Sequence, residues 1–485
     1  MSGRCRGTRA PGHGGVAPTA WGGRAVRGPG LGKAGRHHRP PAGRPRAATR
    51  PRASTLEGLA GEGVAGVRVG PAGLEAAAAL EAGATVLQVG SDGWIGLAAV
   101  RASPVGPAVA GLRPWVQLAL YLLHERSRPA SEWGAFLDRV GDGPAAPLLW
   151  ARDDLLLLEG TQLAEQVGGY FGFVEGEWRA LEEAGVLADP AVFDPDYFNL
   201  AGFKWAFATV RGHLHAPLDG GEETAIVPAA AWVAHSSRSG ATLQVRKGLF
   251  GKEAQAVLKT DRPLAAGAPV AMNFGEGALD SQVLLDYGVW DPAPGAFRGG
   301  YNLALALPED DPNYHDKLDI LEQGEFPAAP SFALRQGENP PEELVAFMRL
   351  VQLRGMDAFL LEPIFRSEIW EHLYQPVSEE NERHVCDVMI RGCNDVLARY
   401  GAGLDEDLLD LRRDKYEPGS PGQAALLVRI GEQAALEGAA RFFQDRMGQL
   451  EGLLYYQQRR LRNLNLLDED GNSTFDDADV YFPNI

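Results

Sequence analysis

Residues that could do chemistry are few and scattered in this chain of 485 residues. Gly70-Pro71-Ala72-Gly73 is a glycine-containing turn ahead of a short apolar run. It lacks the Gly-Lys-Ser/Thr of a phosphate-cradling loop and does not open a helix as a dinucleotide fingerprint does. Among 60 glycines it reads first as an ordinary turn. HExxH, GxSxG and paired Cys/His clusters are all absent from the sequence, so zincin chemistry, the nucleophile elbow and thiolate-held zinc have no motif here. His213 and His215 are near neighbours without a convincing third ligand, and no metal is expected. Three cysteines, Cys5, Cys386 and Cys393, are too few for a disulfide framework. Cys386 and Cys393 fall on one helical face and are expected as buried thiols. Trp133 and Trp205 read as core. Tyr455-Tyr456-Gln-Gln-Arg-Arg reads as helix packing with a solvated basic edge.

Charge divides the chain sharply. Residues 1–56 hold 11 arginines and Lys33 and no acidic residue, so the rest carries 64 acidic against 34 basic side chains. A body that acidic excludes a broad electrostatic grip on nucleic acid and fits a basic protein segment as partner. The leader is rich in Arg, Gly, Pro and Ala and cannot bury enough apolar surface to offset its ordering entropy. A nucleic-acid-binding arm and an organelle transit peptide compete for it. The abrupt switch at Glu57 favours the transit peptide, with small residues near Ala48 and Ala53 beside a cleavage point. No run of 18 apolar residues occurs, so no membrane span is expected.

The elements that must position any site follow from periodicity. Ala84–Val89 reads as a strand between glycines, and Val116, Ala119, Leu120 and Leu123 make one face of a helix beginning at Pro114. Helix signals run through Trp133–Val140, Asp153–Val167 and Pro195–Val210. Strand patterns return in TAIVPAAAWV, ATLQVRKG, AQAVLKT and PVAMNFG, with TDRPLAAG as a turn. From about Pro340 the texture is helical, and Leu450, Leu453, Leu454, Leu461 and Leu464 predict one continuous apolar stripe. The class is α+β: a β-rich part interrupted by helices, then an all-α part.

Two stretches resemble one family. PVAMNFGEGALDSQVLLDYGVWD resembles the end of a SET domain, where a strand leads to an Asn-Ser-Glu-Leu-type turn, a short helix and a terminal Tyr-Gly. MRLVQLRGMDAFLLEPIFRSEIWEHL, LDEDLLDLRR, VRIGEQAALEG and QLEGLLYYQQRRLRNLNLL are similar to the substrate-binding domain of the Rubisco large-subunit methyltransferase family. WGAFLDRV, PLLW, LEGTQL, FKWAFATVRG and AIVPAAAWVAHSS keep the same order, so the resemblance runs colinearly from about Val67. It implies a transit peptide over 1–56 and a SET domain over 57–335 with a helical insertion at about 114–212. A helical substrate-binding domain would follow over 336–485.

The implied activity is S-adenosylmethionine-dependent N-methylation of a protein lysine. The implied setting is the chloroplast stroma, with Rubisco large subunit or fructose-bisphosphate aldolase as the partner and neither nucleic acid nor membrane involved. Carried over by position, the family's catalytic tyrosine falls on Tyr287 in Leu285-Asp286-Tyr287-Gly288. A second channel aromatic falls on or beside Tyr301, and the family's Ser-Arg lysine contact on Gly212-His213. Cofactor contacts fall on Gly70, Pro71 and Ala72 and on Ala234 and His235. Here the family's Asp-x-x-Asn-His-Ser has become Ala231-Trp-Val-Ala234-His235-Ser236, and its turn asparagine has become Asp280. Intact Tyr287 favours an enzyme. The changed motif favours a second reading, a non-catalytic SET-fold module that binds a plastid partner.

Overall fold

The computed structural model describes residues 66–71, 73–215, 225–246, 254–291, 295–468 and 474. The leader and Ala72 lie outside them.

The N-terminal half is assembled from short strands. Val67–Val69 pairs antiparallel with Leu74–Ala76 across the Gly70–Gly73 turn, closed by the Gly70 N–H donating to the Gly73 carbonyl at 2.7 Å. Gln255–Lys259 lies between Thr85–Gly90 and Gln244–Arg246 in a three-stranded antiparallel sheet. Ala234–His235 runs parallel to Ala271–Met272. One apolar core joins these strands to the helices Pro114–Ser127, Gly134–Val140 and Leu200–His213. Trp133 and Trp205 are buried in it.

Three expected elements differ. The Asp153–Val167 helix is split into Arg152–Leu156 and Gln162–Glu183. Gly160 forces the break: its φ is +86°, and a Cβ there would lie 2.6 Å from the Arg399 carbonyl oxygen. Thr161 then caps the second helix by accepting from the Ala164 N–H. The run TAIVPAAAWV is not one strand, because Pro228 has no N–H to offer a ladder. It gives the two-residue strand Ala225–Ile226 and a 3-10 turn, Pro228–Trp232. The final leucine stripe is also broken. The 27-residue helix Pro421–Met447 ends, a short 3-10 turn covers Leu450–Gly452, and a new helix runs Tyr456–Asn463. Leu450 is buried while Leu454 and Leu464 are exposed.

The C-terminal half packs Glu342–Val351, Glu379–Leu397 and Pro421–Met447 around a second core that holds Cys386 and Cys393. Burial raises both thiols to about 11, which keeps them protonated and inert. The antiparallel pair Gly300–Ala304 and Ser331–Arg335 lies against the long Pro421–Met447 helix. At their crossing a Cβ on Gly431 would come within 2.5 Å of the Gly299 Cα, so two backbones touch with no side chain between them. A third apolar cluster, including Trp150, Leu163, Leu284 and Val428, seals the contact between the halves.

Candidate functional site

Tyr287 is the last residue of the helix Asp280–Tyr287. Gly288 ends that helix with φ +64°, its N–H returning to the Leu284 carbonyl at 3.0 Å. A Cβ at Gly288 would fall 2.4 Å from the Ala146 nitrogen, so the helix end is pressed onto the Ala145–Ala146 backbone. This fixes where the tyrosine leaves the chain. Its ring meets Phe274 at 5.3 Å, and Phe274 meets His235 at 5.6 Å, both edge-on. Burial, then the charge of Asp286, raises the Tyr287 phenol above its ordinary value against the opposing effect of Arg211. It is a neutral hydroxyl at physiological pH.

His235 stands in the parallel strand pair. Its Nδ1 accepts from the Phe274 N–H at 3.4 Å. Burial lowers its pKa to about 4, with Asp291 opposing and Arg298 reinforcing the shift. The ring is therefore neutral and carries its hydrogen on Nε2, a buried atom without a hydrogen-bond partner among the described residues. A buried donor left in this state fits a ligand acceptor. The Ala234 N–H is already committed to the Val270 carbonyl at 3.0 Å.

The Gly70–Gly73 turn reaches the same motif. Gly73 has φ +150°, and a Cβ there would sit 2.4 Å from the Trp232 carbonyl oxygen. Arg139 ties the two from outside, its Nε donating to the Ala231 carbonyl at 3.1 Å. The turn and Ala231–His235, some 160 positions apart, thus share one backbone cradle. A nucleoside-bearing cofactor fits such a place by backbone approach and the His235 donor, although Ala231 and Ala234 offer no side-chain polar group.

Two other expected site residues do not join this cluster. His213 Nδ1–H donates to the Thr209 carbonyl at 2.9 Å, and its ring packs edge-on against Phe136 at 5.3 Å. Burial lowers its pKa, so it sits as a neutral, half-buried histidine against Phe136. Its neighbour Gly212 is the residue that approaches Tyr287: a Cβ there would lie 3.4 Å from the Tyr287 carbonyl. Tyr301 packs against the helical core. Burial and then the charges of Glu432 and Glu165 raise its phenol, and neither Asp286 nor Arg211 is among its electrostatic neighbours.

Periodicity gave no sign of one group. Asp286 accepts from Arg211 Nε and Nη2, Tyr170 Oη and Gln282 Nε2. The one available signal was adjacency, since Arg211 and Asp286 directly precede Gly212 and Tyr287. Among the described residues no group of His, Cys, Asp and Glu is arranged to hold a metal, and no helix is long and apolar enough to cross a membrane.

Short strand pairs, a tyrosine-ended helix packed on its helical neighbours and a helical lobe after it fit a SET-type protein-lysine methyltransferase with a substrate-binding domain. Residues 308–436 match the family model for the Rubisco LSMT substrate-binding domain. The aldolase-lysine N-methyltransferase of Arabidopsis thaliana, named chloroplastic, is 33% identical over 423 residues, 86% of each chain. The chloroplastic Rubisco large-subunit N-methyltransferase of Nicotiana tabacum is 32% identical over 83% of this chain and 82% of its own. A crystal structure of the LSMT SET domain bound to lysine and AdoHcy superposes with a TM-score of 0.70 at 31% identity, covering 83% of this chain and 92% of that one. The chain belongs to the Rubisco large-subunit methyltransferase family of S-adenosylmethionine-dependent protein-lysine N-methyltransferases.

Proposed function

We propose that the chain methylates a lysine of a chloroplast stromal protein, of the class its relatives are named for: Rubisco large subunit or fructose-bisphosphate aldolase. Residues 1–56 serve as the transit peptide in this reading and are removed on import. The observation that carries it is the line His235–Phe274–Tyr287, which joins a buried unpartnered donor to a neutral phenol beside the Gly70–Gly73 cradle. When bound, S-adenosylmethionine supplies an electrophilic methyl group.

The chain's own residues divide the remaining work. Gly70, Pro71 and Ala72 with Ala234 and His235 line the cofactor site by close approach of backbone, and His235 Nε2–H donates a hydrogen bond. The Tyr287 hydroxyl aligns the lysine nitrogen. Phe274 keeps water from the amine, which must be neutral to act as a nucleophile. Gly212 brings backbone close to Tyr287, His213 supports that turn against Phe136, and Tyr301 supports the lobe that faces the partner. Division of labour near residue 335 leaves the cofactor to the strand half and the protein partner to the helical half. An open cleft of about 630 Å³ on the latter, lined by Met356, Phe359, Val377 and Tyr455, supports that assignment.

The test is calorimetric titration with S-adenosylmethionine, together with radiolabelled methyl transfer to stromal extract from a methylation-deficient strain. Wild type should bind cofactor and label one protein. Tyr287→Phe should bind cofactor equally and turn over about a hundredfold more slowly, the loss of one preorganised polar group being about 2.7–4 kcal/mol by analogy with an oxyanion-hole donor. Absence of both binding and transfer in wild type would replace the enzyme by a partner-binding module.

A further inference from the structure

We propose that Arg211 is a positioning residue: through Asp286, and braced by Tyr170, it sets where Tyr287 stands relative to the 211–213 turn. The inference rests on the lysine-methylation reading above and adds residues to it.

Three helices converge on one carboxylate. Arg211, at the end of Leu200–His213, donates from Nε at 2.9 Å and from Nη2 at 2.8 Å to the same Asp286 oxygen, Oδ1. Tyr170, from Gln162–Glu183, donates its hydroxyl to that oxygen at 2.7 Å. Gln282, one turn back along the short helix, donates to Oδ2 at 2.9 Å. The guanidinium also lies 5.6 Å from the Tyr170 ring centre. Burial and the Asp286 charge raise the Tyr170 phenol, so it stays a donor over the working pH range.

Two features separate this from an incidental ion pair. Asp286 is the penultimate residue of its helix, where the macrodipole disfavours a negative charge. Its side chain is only 16% exposed, so screening by solvent is limited. The second feature is register. Arg211 holds Asp286 while the next residue, Gly212, lies beside the carbonyl of the next residue, Tyr287, with room for about one methyl group between them. Consecutive residues of one segment thus face consecutive residues of the other, and the Arg211–Asp286 contact ties the rotation of the short helix to the 211–213 turn. Arg211 and Tyr170 need not touch substrate; they determine the geometry of the residue that does.

The experiment uses the full chain with Arg211→Lys, Asp286→Asn, Tyr170→Phe and the double variant Arg211→Lys/Asp286→Asn. Lysine keeps the charge and loses the two-pronged contact. Turnover should fall at least tenfold in Arg211→Lys and in Asp286→Asn. Calorimetric affinity for S-adenosylmethionine and the melting temperature should stay near wild type. The double variant should be no slower than the worse single variant, because both break one device. Losses that multiply in the double variant, or melting temperatures that fall with turnover unchanged, would overturn the assignment.

A second readout does not depend on transfer. With 3-fluorotyrosine incorporated and the Tyr287 signal assigned by Tyr287→Phe, wild type should give one narrow fluorine resonance. Arg211→Lys should broaden or split it. An unaltered Tyr287 resonance in Arg211→Lys would refute the positioning role even where wild type methylates nothing, a result that would count against the enzyme reading alone.

Discussion

The region around Tyr287 and the helical region along Pro421–Met447 differ in what they do with one buried polar group. In the helical region charge is largely answered by charge. Glu382, fully buried, accepts from Arg349 at both oxygens and from Arg446 Nε at Oε2, the last at 2.6 Å. Asp407 takes Arg429 and Gln433, and Lys317 holds Asp311 and the Val351 carbonyl. Around Tyr287, Arg211 likewise answers Asp286, and Arg298 Nε lies 3.6 Å from Asp280 Oδ1. What sets this region apart is His235 Nε2, a buried ring donor without a hydrogen-bond partner among the described residues.

That contrast is open to attack at several points. The largest effect should come from Glu382→Ala, which leaves Arg349 and Arg446 facing each other without their shared anion. Removing one partner from a buried pair costs about 3–5 kcal/mol, to be read as a fall in the urea midpoint of the full chain. A loss below about 1 kcal/mol would mean that the helical region is not held by its ion pairs.

Glu432 comes next, at the contact between the halves. It accepts from the Gln162 N–H at 2.8 Å, the Leu163 N–H at 3.3 Å and the Tyr400 hydroxyl at 2.6 Å. Burial nevertheless outweighs these donors and raises its carboxyl from 4.5 to about 7. A raised acid favours its protonated form when folded. Its contribution is therefore full below about pH 4.5 and is lost as pH rises towards 7. At about 1.4 kcal/mol per pH unit the change is of order 3 kcal/mol. Glu432→Gln should flatten the stability profile between about pH 5 and 7, and a variant whose profile keeps the wild-type slope would contradict this assignment.

A smaller loss is expected from Gly431→Ala. The new methyl would meet the Gly299 backbone at the crossing, and overpacking of this kind costs about 1–3 kcal/mol. The check is thermal unfolding beside Gly438→Ala, where a Cβ meets nothing within 4 Å. Equal melting temperatures for the two variants would deny the crossing its tightness.

The effect of His235 is opposite in sign to that of Glu432, and the shift behind it, from 6.5 to about 4, is of similar size. With its folded pKa lowered to about 4, the neutral ring's contribution is present above about pH 6.5 and lost as pH falls. Removal of the ring in His235→Gln should make the melting temperature less sensitive to pH between about 6.5 and 4. A steeper acid-side fall in the variant would show that the buried ring is not what titrates there.

The sequence made some of this readable for physical reasons. Pro114 opens a helix because its missing N–H costs nothing at a first turn, and the observed helix is Pro114–Ser127. Trp133, Trp205 and the two helical cysteines were expected in the interior and are there. Tyr287 was legible only through a motif, as no periodicity marks it. The helix Gln162–Glu183 runs well past the expected end at Val167, through Gly168, Gly169, Gly172 and Gly176, each of which weakens helical propensity. A Cβ at any of the four would meet nothing within 4 Å, so no close contact demands glycine there, and the helix is held by its buried Leu163, Val167, Val174, Trp178 and Leu181. Tyr170 lies in that unexpected stretch. The break at Gly160 was invisible because its cause, the Arg399 carbonyl, is far away in sequence.

The Gly299–Gly431 crossing bears on how such a molecule would choose among lysines. Two backbones in direct contact leave no side chain to rearrange at that point, so the spacing there is set by backbone alone. A Cβ on the adjoining Gly300 would strike Leu279, the residue that caps the Tyr287 helix. From the helical lobe to the phenol the path is backbone, backbone, helix start, helix end. A protein seated on the helical lobe would then present its surface at a set distance from Tyr287, as work is presented to a tool by a jig. Selection under the proposed reading becomes a matter of measured span: the lysine that is modified is the one at the right reach, whatever residues surround it.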